Sequence, residues 1–258
     1  MVSTISAAGS AHVHNAIYQA ANATGVDFNY LLNQAKVESS LNPDAKARTS
    51  SATGLYQFIE QSWLGVVSKH GDDHGLGWAA SAITRSSDGR YRVADPAMRA
   101  AVLDLRRDPD AGAAMAAEFA SDNRDYLQKR LGHPVDSVDL YLAHFLGASG
   151  AAKFLRNYDA NPDMPAADLF PAAARSNRAV FYNRDGSART LADVRERFAR
   201  KFEGASSSPP RAAPVEARPF YPAIAQRYDG PSTGSGRTEM RAQARLAYLM
   251  LASLGVSA

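Results

Sequence analysis

Through most of the first 200 residues apolar positions recur every three or four places, with charges three and four apart between them, the period of amphipathic helices. Alanine is abundant, and few segments combine β-branched with aromatic residues, so the pattern predicts a mainly α chain. It places helices over about 10–24, 28–39, 61–69, 74–84, 96–106, 110–131, 137–147, 149–158, 165–175 and 190–203. Three of these carry start signals. Asp27 precedes the second, Asp95-Pro96 supplies an N-cap and a first-turn proline to the fifth, and Asp136 or Ser137 can cap the seventh. The Ser-, Thr- and Asn-rich segment 42–54 has no helical period and reads as a loop, with room for a short two-stranded flap. At GASSSPPRAAPVEARP, residues 204–219, Ser and Pro displace the apolar period, which is linker chemistry. A second such stretch, YDGPSTGSGR, precedes one amphipathic helix over about 238–254. The organisation expected is therefore a helical domain over 1–203, a linker over 204–237 and a terminal helix within 238–258.

Composition narrows the classes. The 258 residues include 29 Lys and Arg against 26 Asp and Glu, a net charge of only +3, and the arginines are interleaved with acids or apolar residues. That is the look of solvated helix faces, not of a nucleic-acid footprint. With no cysteine, disulfides, thiolate metal sites and a cysteine nucleophile are excluded. The longest apolar run, LAYLMLASLGV at 246–256, falls well short of the roughly 20 residues a membrane span needs. The opening MVSTISAAGSAHVHNAIYQ lacks the basic and apolar regions of a secretory signal.

One position departs from the helical pattern. On a wheel of the second helix Leu31, Leu32, Ala35 and Ser39 share a face, and Glu38 falls beside Leu31 at its edge. Partial burial disfavours the charged form of a carboxyl, which suits a general acid working near neutral pH. The plainer reading is a helix-end Glu that reaches solvent or pairs with an Arg. Both stand on position alone.

The residues immediately downstream bear on that choice. Glu38-Ser39, then Asn42-Pro43, then the Ser-rich loop, then Gly54-Leu55-Tyr56-Gln57, resembles in order and spacing the signature of the soluble lytic transglycosylases. In that family a Glu-Ser pair ends a helix and a Gly-Leu-Met-Gln element comes about fifteen residues later. The resemblance extends over about 15–150. It implies a lysozyme-like, goose-type helical fold, peptidoglycan glycan strands as substrate, and a single Glu, here Glu38, as acid and then base. It implies no metal or organic cofactor. Because peptidoglycan lies outside the cytoplasmic membrane, it also implies the periplasm.

The same resemblance nominates Ser39, Gly54, Tyr56 and Gln57 as groove residues: Gly54 for close backbone approach, Tyr56 offering a face to a sugar or to Glu38, and Gln57 as an amide for N-acetyl and hydroxyl groups. The family's third motif, Ala-Tyr-Asn-Ala-Gly, corresponds to Ala143-His144-Phe145-Leu146-Gly147. His144 stands in the place of the Tyr that orients the catalytic Glu, and His144 or the nearby Tyr141 could supply that hydrogen bond. This AHFLG variant looks like a subgroup of which some members are associated with flagellum or envelope-appendage assembly.

Other readings remain open beside it. Asp44 or Glu60 would be the second carboxylate if the chain were a hydrolysing lysozyme, although a Glu at a helix start is favoured by the helix dipole anyway. Loss of the family's Tyr and Asn would also suit a catalytically silent peptidoglycan-binding or assembly scaffold. HGDDHGLG, with His70 and His74, and AHVH, with His12 and His14, invite a metal reading but bring no convincing further ligand. Glu118, on an Ala-rich helix, reads as a charge paired with an Arg or on the helix face, or as a group behind the cleft. The terminal helix offers an apolar face to the domain itself or to a partner protein.

Overall fold

The computed structural model describes residues 7–48 and 50–203, so the expected linker and terminal helix at 204–258 lie outside the described residues. The described chain is mainly helical. It divides into two units, one of residues 7–46 and 51–119, the other of 47–48, 50 and 120–203.

In the first unit α1 (Ala7–Thr24) packs on α2 (Phe28–Ser39), burying Val13, Ile17 and Leu31. Asp27 caps α2 by accepting the Tyr30 N–H at 2.8 Å, and Asp95 does the same for Met98 at the start of α5 (Pro96–Asp104). The centre of the unit is Trp63 on α3 (Glu60–His70), which is fully buried. Its indole N–H donates to the Val102 carbonyl at 2.7 Å, and Phe58 stands edge-on to both Trp63 and Phe119. A buried indole with its one donor satisfied adds packing without an orphaned polar group.

The helix expected over 74–84 is broken. A 3-10 turn, Gly71–His74, is stopped by Gly75 in the left-handed region (φ 71°), α4 covers only Gly77–Ala82, and Ile83 opens a strand. That strand, β1 (Ile83–Arg85), pairs antiparallel with β2 (Tyr91–Val93) in the register Ile83–Val93, Thr84–Arg92 and Arg85–Tyr91. The Gln61 side chain closes the far side of Tyr91, donating to its carbonyl and accepting its N–H, each at 3.0 Å. An exposed strand edge is thereby occupied by a side-chain amide. The loop 42–54, where a flap had room, carries instead only isolated antiparallel bridges, Lys46 to Thr53 and Thr53 to Phe58. After the turn Leu105–Arg107, α6 (Pro109–Leu131) contributes its first half to this unit and the rest to the second.

The second unit is built on α7 (Ser137–Ala160), two helical stretches that meet at a kink at Gly147 (φ 71°, ψ 157°), next to the break expected at residue 148. The single helix expected over 165–175 is two short ones, α8 (Ala166–Leu169) and α9 (Pro171–Ser176), because Pro171 ends the first and starts the second; α10 (Arg178–Phe181) comes next. Then α11 (Leu191–Glu203) packs on α7, with Phe198 against Tyr141 and Phe145 and Phe202 against Tyr141.

The start of α7 is an electrostatic node. Asp136 and Asp139 form a capping box, and Arg195 of α11 donates to both carboxylates. Asp139 is only 6 % exposed, and burial holds its carboxyl above the usual carboxylate range against the opposing pull of the Asp136 N–H and Arg195. Replacing Arg195 with Met leaves that carboxylate buried and short of a partner, so the variant is expected to lose about 2 kcal/mol. An acid raised in the folded state weakens the fold while it is ionised, and the cost fades as pH falls through its folded value. The deficit of Arg195→Met against wild type, read by urea unfolding, should therefore narrow as the pH is lowered from neutral.

Candidate active site

The last turn of α2 carries Glu38 and Ser39, both half-buried. The helix ends on two successive non-glycine residues in the left-handed region, Ser40 (φ 55°) and Leu41 (φ 64°). Their N–H groups return to the Lys36 carbonyl at 2.9 Å and the Ala35 carbonyl at 3.3 Å, which closes the helix end. Two such residues in a row are costly, and strain of this kind gathers where a site holds a side chain in a set place.

The Gly54–Gln57 turn is fastened to this end. Ser39 Oγ lies 2.8 Å from the Leu55 carbonyl and 3.0 Å from that of Ala35, so its one proton serves both the turn and its own helix. Gln57, with φ 47° and 6 % exposure, turns its amide inward, Nε2 donating to the Gly54 carbonyl at 2.9 Å and the Ala45 carbonyl at 3.1 Å. Gly54 N–H in turn donates to the Ala45 carbonyl at 2.8 Å. Asn42 starts the intervening loop by accepting the Asp44 N–H on its side chain. Behind the turn the Arg106 guanidinium is spent on carbonyls, Nη1 to Ser51 at 2.7 Å and Phe58 at 3.1 Å, and Nε to Leu103 at 2.8 Å. Burial lowers the Arg106 pKa from its usual range.

Of the residues nominated from the sequence, Glu38, Ser39, Gly54, Tyr56 and Gln57 are thus gathered in the first unit. Tyr56 is 1 % exposed and its hydroxyl is enclosed. Tyr141 and His144 belong to α7 of the second unit, where their rings stack at 5.9 Å and Tyr141 also meets Phe198 and Phe202. Sequence reasoning passed over Tyr30, buried on α2 just over two turns before Glu38. The Tyr30 phenol is pushed well above its ordinary range, first by burial and then by the charge of Glu38, and the Tyr56 phenol likewise by burial and then by Tyr30. The available signal was its residue type: a polar-tipped aromatic among Leu31, Leu32 and Ala35.

The remaining candidates have local partners. Glu60 is held by Arg99, whose Nη2 and Nε stand 2.6 and 3.1 Å from Oε1, and Asp44 is exposed in the loop. Glu118, for which an Arg pair, a helix-face charge and a place behind the cleft were the readings, meets two histidines: His74 Nε2 at 2.8 Å and His70 Nδ1 at 3.3 Å. His70 ends α3 and His74 ends the 3-10 turn that follows, so the turn brings the two rings to one carboxylate. His12 pairs with Asp110 at 3.0 Å, and His14 donates to the Ser10 carbonyl at 2.7 Å. Among the described residues no group of three or more His, Asp or Glu is arranged to hold a metal ion, and no helix is long and apolar enough to cross a membrane. Two hollows of about 340 and 260 Å³ open on this unit, one around Lys46 and Arg107, the other around Glu60 and Tyr91. Neither is lined by Glu38; the first holds the Asp104–Arg107 pair and the second the Glu60–Arg99 pair. Comparison with models of known protein families gives no match for this chain.

Proposed function

We propose that the chain is a peptidoglycan lytic transglycosylase with a lysozyme-like fold, acting in the periplasm on glycan strands with Glu38 as its acid and base. The observation that carries the reading is the tie from Ser39 Oγ to the Leu55 carbonyl, because it joins the Glu-Ser helix end to the Gly-Leu-Tyr-Gln turn whose order and spacing carry the family resemblance. The mainly helical architecture is compatible with it.

In this reading Glu38 donates its proton to the glycosidic oxygen between N-acetylmuramic acid and N-acetylglucosamine, and the bond from C1 to that oxygen breaks. The Glu38 carboxylate then takes the proton of the muramoyl 6-hydroxyl, whose oxygen closes on C1 to give a 1,6-anhydro end. No water enters. An ordinary glycosidase would need a second carboxylate flanking the bond. The two nearest in sequence are otherwise placed, Glu60 in its pair with Arg99 and Asp44 at the loop surface.

Mass spectrometry of the products from purified sacculi tests the reaction. Anhydromuramoyl ends are expected. Reducing muramic acid ends would make the chain a hydrolytic muramidase, and intact strands with retained binding would make it a silent scaffold.

A further inference from the structure

We infer that the hollow between Lys46 and Arg106 is a recognition site for a carboxylate of a short acidic peptide, namely the peptide carried by the muramoyl sugar of the glycan strand. The anion site stands on its own geometry, and the choice of peptide rests on the proposed function.

The hollow, about 340 Å³, has Lys46, Arg106 and Arg107 in its lining and Asp104 as the acid among them. Asp104 is committed to Arg107 at 2.6 Å, which leaves two cations. Lys46 is exposed and makes no hydrogen bond or ion pair with any described residue. Arg106 is half-buried, and it too has no carboxylate partner among the described residues. Its Nε and Nη1 donate to the Leu103, Ser51 and Phe58 carbonyls, while the N–H groups of Nη2 are taken by none of them.

A guanidinium drawn partly out of water and given only neutral acceptors costs the fold free energy, which an arriving anion recovers. Burial weighs most against the charge of Arg106, and Arg107 and Arg99 add to it. The carboxylates that act on it from further off, Glu60 and Asp104, are held by Arg99 and Arg107. Two Nη2 donors and the Lys46 ammonium suit the two oxygens of a carboxylate.

The rest of the lining narrows the ligand. Leu103 and Ala100 give the hollow an apolar side, so its occupant carries small apolar groups beside the acid, as a peptide of alanine and acidic residues does. The hollow also shares its backbone with the Gly54–Gln57 turn. Lys46 follows Ala45, whose carbonyl takes the Gly54 N–H and Gln57 Nε2, and it bridges to Thr53, the residue before Gly54. The Arg106 carbonyl lies against Gly54 itself. A peptide held there therefore rests on the turn that Ser39 fastens to the helix end of Glu38.

The test is calorimetric titration of the full chain with a synthetic tetrapeptide of L-Ala, γ-linked D-Glu, diaminopimelate and D-Ala. Binding is expected, weaker at raised NaCl, and absent for the same peptide with its carboxylates amidated. Lys46→Gln should weaken it about tenfold, the loss of one charge-assisted hydrogen bond, and Lys46→Glu should weaken it further. Because Lys46 is exposed and unpaired, both variants should keep the wild-type Tm. No binding, equal binding by wild type and both variants, or displacement of the peptide by an equal concentration of inorganic phosphate overturns the inference. Binding that depends on Lys46 in a protein that cleaves no glycan upholds the site and removes the enzymatic reading alone. Anhydromuramoyl products from a protein that binds no peptide do the reverse.

Discussion

Glu38→Gln is expected to lower the rate of glycan cleavage by about 10³-fold or more, while binding to sacculi and the unfolding midpoint stay close to wild type. Gln keeps the size and shape of Glu at a half-buried position, so neither the Ser39 tie nor the helix end has reason to move. What it cannot do is deliver a proton to a leaving oxygen and later accept one, and in a mechanism with a single carboxylate no other group covers either step. Turbidity loss of a cell-wall suspension gives the rate, and a pull-down on sacculi gives the binding. A rate within tenfold of wild type would remove Glu38 from the chemistry, and loss of binding together with activity would mean that the variant reports on fold.

The largest effect on stability is expected from Gly54→Ala. A Cβ there would stand 1.8 Å from the Arg106 carbonyl oxygen and 2.8 Å from its carbon, and the residue has φ +85°, where side chains are strained in any case. The colliding atoms are backbone, and Arg106 is itself held by its guanidinium bonds to Ser51, Phe58 and Leu103. Relief therefore requires the turn to move, which would break the Ser39 tie to Leu55. We expect a loss of about 4 kcal/mol, or roughly 10 °C in Tm, with activity lost as well. Gly25→Ala is the control: its φ is +67°, but nothing lies within 4 Å of the added carbon. That variant should cost only the backbone strain, about 1 kcal/mol. Equal losses in the two variants would show that strain, not the close approach to Arg106, makes Gly54 necessary.

These two positions mark how far the amino-acid sequence could be read. Gly54 was recognisable as part of a motif, and close backbone approach was expected of it. That the approaching group is the Arg106 carbonyl, 52 positions later, depends on where α5 and the turn after it deliver that residue. Glu38 was recognisable from its place at the edge of an apolar stripe. Tyr30 was equally visible as a residue and still went unread, because nothing in its own segment tells how completely the fold buries it. Glu118 took the same course. Its helix was expected, with an Arg pair, a helix-face charge or a place behind the cleft left open, whereas its partners are His70 at the end of α3 and His74 at the end of the 3-10 turn, which only the fold brings to it.

Local physics decided what the sequence determined by itself. The helical period, the caps at Asp27, Asp95 and Asp136, the break at Gly147 and the absence of long apolar runs depend on residues a few places apart, and each is an energy term complete within one segment. Tertiary structure decided the remainder: the hairpin at 83–93, whose first strand opens within the last two residues of an expected helix, the turn fastened to the end of α2, and the Arg195 node that holds α11 to α7. Each of these pairs groups from different elements. Its free energy comes from burial or hydrogen bonding that exists only once both elements are in place, so no segment read alone contains it.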